Sequence, residues 1–198
     1  MSNMLSLHAP LGSSLISTVE RPAQDYYATD PAAIDGFVQH IDLPRFVWEP
    51  SCGEGHLVRA MEKLGIKVLA TDLMYRGMGF TLNFFDVTSM PKDCHCIVTN
   101  PPYKESVPYT MHALSLLRTN DILCLFLKIG AICGIYRYTE IYKHNPPKYM
   151  LPFVRRLWCA PNGNFENMTK SNSAADYAWF VWIKGWTGNP SILWIDNV

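Results

Sequence analysis

The chain has 198 residues, of which 48% are hydrophobic and 17% are charged. This composition predicts one globular domain with a substantial core and excludes a disordered chain. Seventeen basic and seventeen acidic residues give a formal net charge of zero, so a contact with nucleic acid requires a local basic patch. Because no apolar run is long enough for a membrane span and no secretory signal is recognisable, a soluble, cytoplasmic protein is expected.

The chain begins with a segment of weak pattern, followed by a well-marked helix. Residues 1–24 show no clear periodicity and are expected to form a poorly ordered arm. From Pro31 onward, apolar residues recur at helical spacing as far as Ile41. Thr29 or Asp30 is suited to be the N-cap, with Pro31 in the first turn. A single domain is therefore expected over residues 25–198.

Beyond this helix, short apolar runs alternate with amphipathic segments. Such alternation predicts a doubly wound α/β sheet with helices on both faces. The nearly continuous apolar run 122–129 is typical of a strand that is buried on both faces. The predicted strands are residues 45–48, 67–71, 81–85, 97–99, 122–129 and 177–183.

Acidic residues and glycines follow the predicted strands where the strands end. Glu49 comes after the first strand, and Gly53 and Gly55 lie in the turn that follows. Asp72 and Asp86 end the next two strands. Open α/β sheets bind ligands at the carboxyl ends of their strands. Asp72 can accept hydrogen bonds from both hydroxyls of a ribose, and Asp86 can accept one from an adenine amino group, so an adenosyl ligand fits the pattern.

Two residues discriminate between adenosyl cofactors. Val58 stands where the dinucleotide fingerprint G-x-G-x-x-G has its third glycine, which disfavours a pyrophosphate and therefore NAD. Glu49 would repel a pyrophosphate but can hold the ammonium of a methionine moiety, directly or through water. The pattern favours S-adenosylmethionine. No metal is predicted, because Cys94-His95-Cys96 has neither C-x-x-C spacing nor a matching second pair.

The most specific motif is Asn100-Pro101-Pro102-Tyr103, directly after the fourth predicted strand. Two consecutive prolines stiffen the turn and remove two backbone donors, so the turn offers acceptors. The Asn100 side-chain oxygen and the Pro101 carbonyl could accept both N–H groups of an exocyclic amine. Tyr103 offers a ring on which a base can stack. Asn145-Pro146-Pro147-Lys148 lacks both the aromatic residue and the preceding strand, and is interpreted as a plain turn.

Together these motifs resemble the N6-adenine DNA methyltransferases of bacteria and phages, in their small single-domain form, over roughly residues 25–185. The order of the motifs is similar to that of the gamma class. The resemblance implies a Rossmann-like class I sheet of seven mostly parallel strands with an antiparallel last strand at 177–182. It also implies S-adenosylmethionine as cofactor and an adenine-specific, site-specific DNA methyltransferase that flips its target base.

The same resemblance assigns roles to individual residues. Asn100 to Tyr103, including Pro101 and Pro102, would be the catalytic motif. Asp72 would bind the ribose and Asp86 the adenine of the cofactor. The remaining cofactor-binding residues would be Tyr27, Thr29, Glu49, Pro50, Gly53, Gly55 and Asn100.

No separate recognition domain is expected within these 198 residues, so a basic and aromatic segment at about 134–172 is the candidate DNA surface. Basic side chains can contact phosphates, and the interleaved tyrosines can stack on exposed bases. The predicted contacts are Arg137, Lys143, Lys148, Arg155 and Arg156.

Two alternatives stay open from the sequence. The same chemistry serves methyltransferases that act on RNA bases or on the glutamine amide of a protein. A protein of another class, an inactive methyltransferase-like domain that only binds a partner or the cofactor, is the second alternative. The intact Asn100 and Tyr103 argue against an inactive domain.

Overall fold

The computed structural model describes residues 27–157, 159–161 and 175–198. The predicted arm 1–24 lies outside the described residues, as does much of the C-terminal part of the segment 134–172. Among the described residues, eight strands form the main sheet, and two others, Tyr27–Thr29 and Cys159–Pro161, form a separate antiparallel ribbon. The strands are β1 Tyr27–Thr29, β2 Phe46–Glu49, β3 Lys67–Asp72, β4 Phe80–Thr81, β5 Cys96–Thr99, β6 Ile122–Lys128, β7 Tyr149–Pro152, β8 Cys159–Pro161, β9 Tyr177–Ile183 and β10 Ser191–Ile192.

The order of the strands in the main sheet is β10-β7-β9-β6-β5-β2-β3-β4. All neighbouring pairs are parallel except those of β9, which runs antiparallel to both β6 and β7. The predicted mostly parallel α/β sheet with one antiparallel strand is therefore confirmed. The sheet has eight strands where seven were predicted, and the antiparallel strand is not the last one, because β10 follows it.

Helices cover the two faces of this sheet. They are α1 Ala32–Phe37, α2 His56–Lys63, α3 Ser106–Leu116 and the single turn α4 Ile135–Arg137. Along β9, Trp179 and Val181 belong to the core beneath α1 and α2, where the Trp179 ring stacks on Phe37. Phe180 and Trp182 point to the opposite face, beneath α3. Period-two alternation thus serves two cores at once.

The start of α1 follows the sequence prediction in outline. The Asp30 carboxylate accepts a hydrogen bond from the Ala32 N–H at 3.0 Å, so Asp30 caps the first turn. Thr29, the other candidate cap, is the last residue of β1 and pairs with Cys159 of β8. The chain therefore passes from the ribbon into α1 within two residues.

The predicted strand 81–85 is wrong in extent. Only Phe80 and Thr81 pair with β3, and the chain then makes a 3-10 turn over Phe84–Asp86. The cause is local: the Asn83 side chain accepts a hydrogen bond from the Phe85 N–H at 3.2 Å, which starts the turn. Asp86 therefore does not end a strand, and its side chain is exposed.

Gly79 fixes the approach of β4 to β3, which gives the first testable prediction. It has a φ of +71°, and a Cβ there would lie 2.5 Å from the carbonyl oxygen of Ala70. Backbone cannot move aside as a side chain can. Gly77, in the same loop, has a φ of +89° and open space around it. Gly77→Ala should lower the free energy of unfolding by about 1–2 kcal/mol from left-handed strain, and Gly79→Ala by about 1–3 kcal/mol more from the clash. Urea titrations of the two variants measure the difference, and equal losses would contradict the close approach.

Candidate functional site

A cavity of about 500 Å³ opens at the edge of the sheet where β2, β3 and β5 end. This volume lies in the usual range for small-molecule sites. The described residues that line the cavity include most of the predicted catalytic and cofactor-binding residues, and several residues that were not predicted. Its lining residues are Ala28, Thr29, Glu49, Pro50, Ser51, Cys52, His56, Leu57, Asp72, Leu73, Met74, Arg76, Asn83, Phe84, Phe85, Asn100, Pro101, Pro102, Tyr103, Lys104, Glu105 and Tyr109.

Glu49 is the most unusual residue of this lining. Its side chain is 1% exposed, and among the described residues neither carboxylate oxygen has a hydrogen-bond partner. Burial raises its pKa well above the ordinary value, while the nearby Thr99 hydroxyl opposes the shift and the charge of Asp72 adds to it. A buried carboxylate without a partner is costly. The site therefore suits a cation or a hydrogen-bond donor that the described residues do not supply.

Asp72 forms the next part of the wall, beside the glycine turn, whose Gly53 and Gly55 do not themselves line the cavity. The Gly53 N–H donates to Asp72 Oδ2 at 2.8 Å, and the Met74 N–H donates to Oδ1 at 3.0 Å. These bonds hold the carboxylate at the rim of the cavity and leave lone pairs on both oxygens. Gly55 precedes α2 with a φ of +82°, and a Cβ there would lie 2.7 Å from the Met78 side chain. A glycine is thus needed for the turn to fit beneath Met78.

An aromatic wall that the sequence analysis missed faces the turn. The Phe84 ring stacks on Tyr109 with centroids 4.3 Å apart, and the Tyr109 hydroxyl is 2.8 Å from the Ser51 hydroxyl. Phe85 also lines the cavity. Burial raises the pKa of Tyr109, which keeps its hydroxyl neutral. In the sequence, Phe84 and Phe85 had been assigned to the predicted strand 81–85, so this wall was not recognised.

Asp86, the predicted adenine-binding acid, is not brought into the site. It is exposed and does not line the cavity. The polar residue that lines this part is Asn83, three positions earlier. Its side-chain oxygen is used in the turn to Phe85, and the amide can still donate or accept a further bond.

The turn Asn100–Tyr103 lies at the carboxyl end of β5 and lines the cavity throughout, as predicted. The Asn100 Nδ2 donates to the Thr29 hydroxyl at 2.8 Å. The Glu105 N–H donates to the Pro102 carbonyl at 3.1 Å, which leads the chain into α3. Both acceptors that were predicted for an amine, the Asn100 amide and the Pro101 carbonyl, therefore belong to a turn that is anchored at both ends.

Tyr103 is packed more tightly than a residue at a cavity mouth usually is. Its hydroxyl lies 3.6 Å from the Cys159 sulfur, its ring is 5.9 Å from that of Tyr177, and the Lys128 ammonium lies 5.3 Å from its ring centroid. Burial raises the pKa of Tyr103 well above its ordinary value. The phenol is therefore neutral, and its ring packs against these three groups.

Tyr27 can be placed only in part. Its backbone is in β1, opposite Pro161 of β8, and its side chain lies outside the described part of the structure. Pro50 lines the cavity beside Glu49, as predicted.

The five predicted DNA-contact residues do not form one surface. Because β7 runs in the same direction as β6, Lys148, just before β7, is at the edge of the sheet opposite the cavity. Lys143 lies two residues before Asn145, whose carbonyl accepts a bond from Trp182 near that same edge. Arg155 and Arg156 follow the carboxyl end of β7, which is the cavity edge. β7 therefore separates Lys143 and Lys148, at one edge of the sheet, from Arg155 and Arg156 at the other.

The arginines differ in their contacts. Arg156 forms an ion pair with Asp176 at 2.7 Å, in which both side chains are more than half exposed. Such exposed pairs contribute little to stability and exchange partners readily. Arg155 is exposed. Arg137 lies in α4, half-buried, and donates to the Cys133 carbonyl at 2.9 Å.

The described residues offer neither a metal site nor a membrane-spanning helix. Within residues 27–157, 159–161 and 175–198, no cluster of three His, Cys, Asp or Glu residues could hold a metal ion. Over the same ranges, no helix has the length and apolar character needed to cross a membrane. Cys94 and Cys96 are buried core residues, and His95 lies beside Asp121, with Nδ1 2.7 Å from the carboxylate.

Comparison with known proteins identifies the fold. No protein-family description and no curated protein sequence matches the chain. Among solved structures, a Listeria monocytogenes protein described as a class I S-adenosylmethionine-dependent methyltransferase superposes with a TM-score of 0.51 at 9% identity, over 84% of this chain and 62% of its own. The chain thus spans less than two thirds of that protein.

Two other structures show the same similarity. The 1,6-didemethyltoxoflavin-N1-methyltransferase of Burkholderia thailandensis, solved with bound S-adenosylhomocysteine, has a TM-score of 0.52 at 12% identity, over 77% of this chain and 76% of its own. The M protein of the type I restriction enzyme EcoKI (EC 2.1.1.72) has a TM-score of 0.50 at 11% identity, over 76% of this chain and 44% of its own. The chain has the fold of the class I S-adenosylmethionine-dependent methyltransferases.

Proposed function

We propose that the protein is an S-adenosylmethionine-dependent methyltransferase that methylates the exocyclic N6 amino group of adenine in DNA. The observation that carries the proposal is the joint placement, in one cavity, of the buried Glu49 carboxylate and the Asn100–Tyr103 turn. The first suits the cationic end of the cofactor. The second suits a flat, amine-bearing substrate.

The cavity fits the cofactor group by group. Glu49, which has no hydrogen-bond partner among the described residues, would hold the methionine ammonium. Asp72, held by the Gly53 N–H, would accept the ribose hydroxyls. Asn83, Phe84, Phe85 and Tyr109 would surround the adenine, replacing the role assigned to Asp86. When bound, S-adenosylmethionine supplies an electrophilic methyl group on a sulfonium.

The turn would act on the acceptor. An exocyclic amine is a poor nucleophile because its lone pair is delocalised into the ring. The Asn100 side-chain oxygen and the Pro101 carbonyl would accept its two N–H groups and localise that pair on nitrogen. The nitrogen would then displace the sulfonium sulfur: the new N–C bond forms as the methyl–sulfur bond breaks, S-adenosylhomocysteine leaves, and one N–H proton passes to solvent. Tyr103, packed against Cys159 and Tyr177, would stack on the base.

Support for adenine in DNA, as against other amines, is more indirect. The Asn-Pro-Pro-Tyr motif resembles that of the N6-adenine methyltransferases, and one fold neighbour is the EcoKI M protein. Arg155 and Arg156 stand at the cavity edge, where phosphates of a bound strand could meet them. RNA bases or a protein amide are the alternatives for the same chemistry.

Separate incubations with methyl-labelled S-adenosylmethionine test the substrate class. The full-length protein is given DNA, RNA or denatured protein, and acid-insoluble label is counted in each. We expect label in DNA. Label confined to RNA or to protein would keep the methyltransferase and reject its DNA substrate, and absence of label in all three pools would reject the enzyme.

The split of the basic residues gives a matched test of the DNA surface. The double variant Arg155→Ala/Arg156→Ala should bind DNA more weakly, and the slope of log affinity against log salt should fall by up to about two, because each phosphate contact contributes close to one. Lys143→Ala/Lys148→Ala removes the same charge from the opposite edge and should leave both quantities unchanged. Fluorescence anisotropy at several salt concentrations measures them, and equal losses in both double variants would reject the assignment.

A further inference from the structure

The ribbon of β1 and β8 contacts the catalytic turn at both of its ends. Thr29 and Cys159 are opposite each other in the ribbon. The Thr29 hydroxyl accepts from Asn100 Nδ2 at 2.8 Å, and the Cys159 sulfur lies 3.6 Å from the Tyr103 hydroxyl. One register pair of the ribbon therefore touches the first and the last residue of Asn100–Tyr103.

Both ribbon residues are shielded from water. Thr29 is 3% exposed and Cys159 is 7% exposed. Burial raises the pKa of the Cys159 thiol to about 12, and the hydrogen bonds to Tyr103 and Tyr177 oppose the shift. The sulfur is thus a neutral thiol, unsuited to nucleophilic chemistry but able to form a hydrogen bond.

The direction of the Thr29 bond matters for the chemistry. With Nδ2 turned to Thr29, the acceptor oxygen of the Asn100 amide lies on the other side of the group. If the amide were reversed, its N–H₂ would face an amine that has only donors to offer. The terminal torsion of an asparagine is soft, and the bond to Thr29 restrains it. Because a hydroxyl can donate as well as accept, Thr29 anchors the amide without by itself excluding the reversed orientation.

We propose that Thr29 and Cys159 are positioning residues, which fix the Asn100 amide and the Tyr103 ring through a single register pair of the ribbon. Thr29 then acts through Asn100, in place of the direct cofactor contact that the sequence resemblance implied. This inference rests on the proposed function.

The Cys159 half is tested by a double-mutant cycle on the full-length protein. Cys159→Ala and Tyr103→Phe should each lower kcat by roughly tenfold, since misplacement of an acceptor site by less than an ångström has effects of this order. The double variant should lose no more than either single variant. Cys159→Ser, which keeps a hydrogen-bonding group, should recover most of the rate. The dissociation constant of S-adenosylhomocysteine, measured by calorimetry, should stay within about twofold throughout.

The Thr29 half is tested by Thr29→Val against Thr29→Ser. Valine keeps the shape and removes the acceptor, so kcat should fall roughly tenfold with the affinity for S-adenosylhomocysteine unchanged, and serine should restore it. A loss of affinity as large as the loss of rate would return Thr29 to a direct cofactor contact and overturn its positioning role.

The outcomes separate this inference from the proposed function. Wild-type protein that labels none of the three substrate pools rejects the function itself. Two results would overturn the inference alone, provided that the wild-type protein transfers methyl groups. In the first, Cys159→Ala keeps the wild-type rate. In the second, the losses from Cys159→Ala and Tyr103→Phe multiply in the double variant. Tyr103→Phe still tests the contact if Cys159→Ala fails to fold.

Discussion

Replacing Asn100 with alanine is expected to lower the rate of methyl transfer by about 100- to 1,000-fold, the usual cost of removing one pre-organised hydrogen-bonding group from a transition state. The amide oxygen is one of two acceptors that localise the lone pair of the amine. Thr29 and the rigid prolines hold the Asn100 amide in place. A water molecule in the alanine variant could accept the same hydrogen bond but would not be held in the same position. Single-turnover kinetics with labelled cofactor measures the effect on the chemical step.

The chain carries its own control for this variant. Asn145 begins a second Asn-Pro-Pro sequence, but it lies next to Trp182 at the opposite edge of the sheet, where its carbonyl accepts from the indole N–H. Asn145→Ala should leave the rate within twofold of the wild type, because a side-chain substitution keeps that carbonyl. If the two variants lose activity equally, the loss reports folding and the role of Asn100 is rejected.

Glu49→Gln is expected to weaken the binding of S-adenosylmethionine by at least about 30-fold, because removing one partner of a buried charge pair costs about 2–5 kcal/mol. Glutamine keeps the shape of the side chain and removes its charge. Glu54→Gln, in the same turn but with a 43% exposed side chain, is the matched control and should bind as the wild type does. Calorimetry measures both, and unchanged binding by Glu49→Gln would remove the ammonium site.

The same substitution should affect stability in the opposite direction. The raised pKa of Glu49 means that the folded protein retains a proton that the unfolded chain releases above the ordinary glutamate range. The free energy of unfolding of the unliganded protein therefore falls as pH rises through that window. Glu49→Gln removes this dependence and should be at least as stable as the wild type at pH 8. Urea titrations at pH 5 and pH 8 check the sign, and a variant that loses stability relative to the wild type as pH rises would contradict it.

Cofactor binding by the wild-type protein should also depend on the protonation of Glu49. An ammonium placed beside Glu49 favours the charged carboxylate, so binding should release a proton where Glu49 is still protonated. The observed enthalpy should then depend on the ionisation enthalpy of the buffer, and this dependence should disappear in Glu49→Gln. Identical enthalpies in all buffers around the raised pKa would show that Glu49 does not titrate on binding.

The sequence predicted well where chemistry and local geometry coincide. A buried apolar strand followed by Asn-Pro-Pro-Tyr places the motif at the sheet edge whatever the rest of the chain does, and Glu49 is placed by β2 in the same way. Periodicity also identified β9, because its seven residues serve two cores. Its position between β6 and β7 could not be read from chain order, since that depends on which sheet edge the connection reaches.

The errors come from contacts that periodicity does not record. A strand of two residues followed by an asparagine-initiated turn has the same apolar pattern as a strand of five, so Asp86 was predicted at the site and Asn83 was missed. The basic residues 143–156 are close in sequence, but four residues of β7 are enough to carry Lys148 and Arg155 to opposite edges. The pairing of Thr29 with Cys159 joins residues that are distant in sequence, and no local pattern indicates it.

In the proposed reaction, the amino group of adenine receives the methyl group. The most direct measurement is mass spectrometry of the nucleosides released from DNA after incubation with the full-length protein and S-adenosylmethionine that carries a deuterated methyl group. We predict deuterated N6-methyl-2′-deoxyadenosine from the wild type and almost none from Asn100→Ala. Deuterium found in the DNA on cytosine or guanine, or on adenine at a ring nitrogen, would contradict the account.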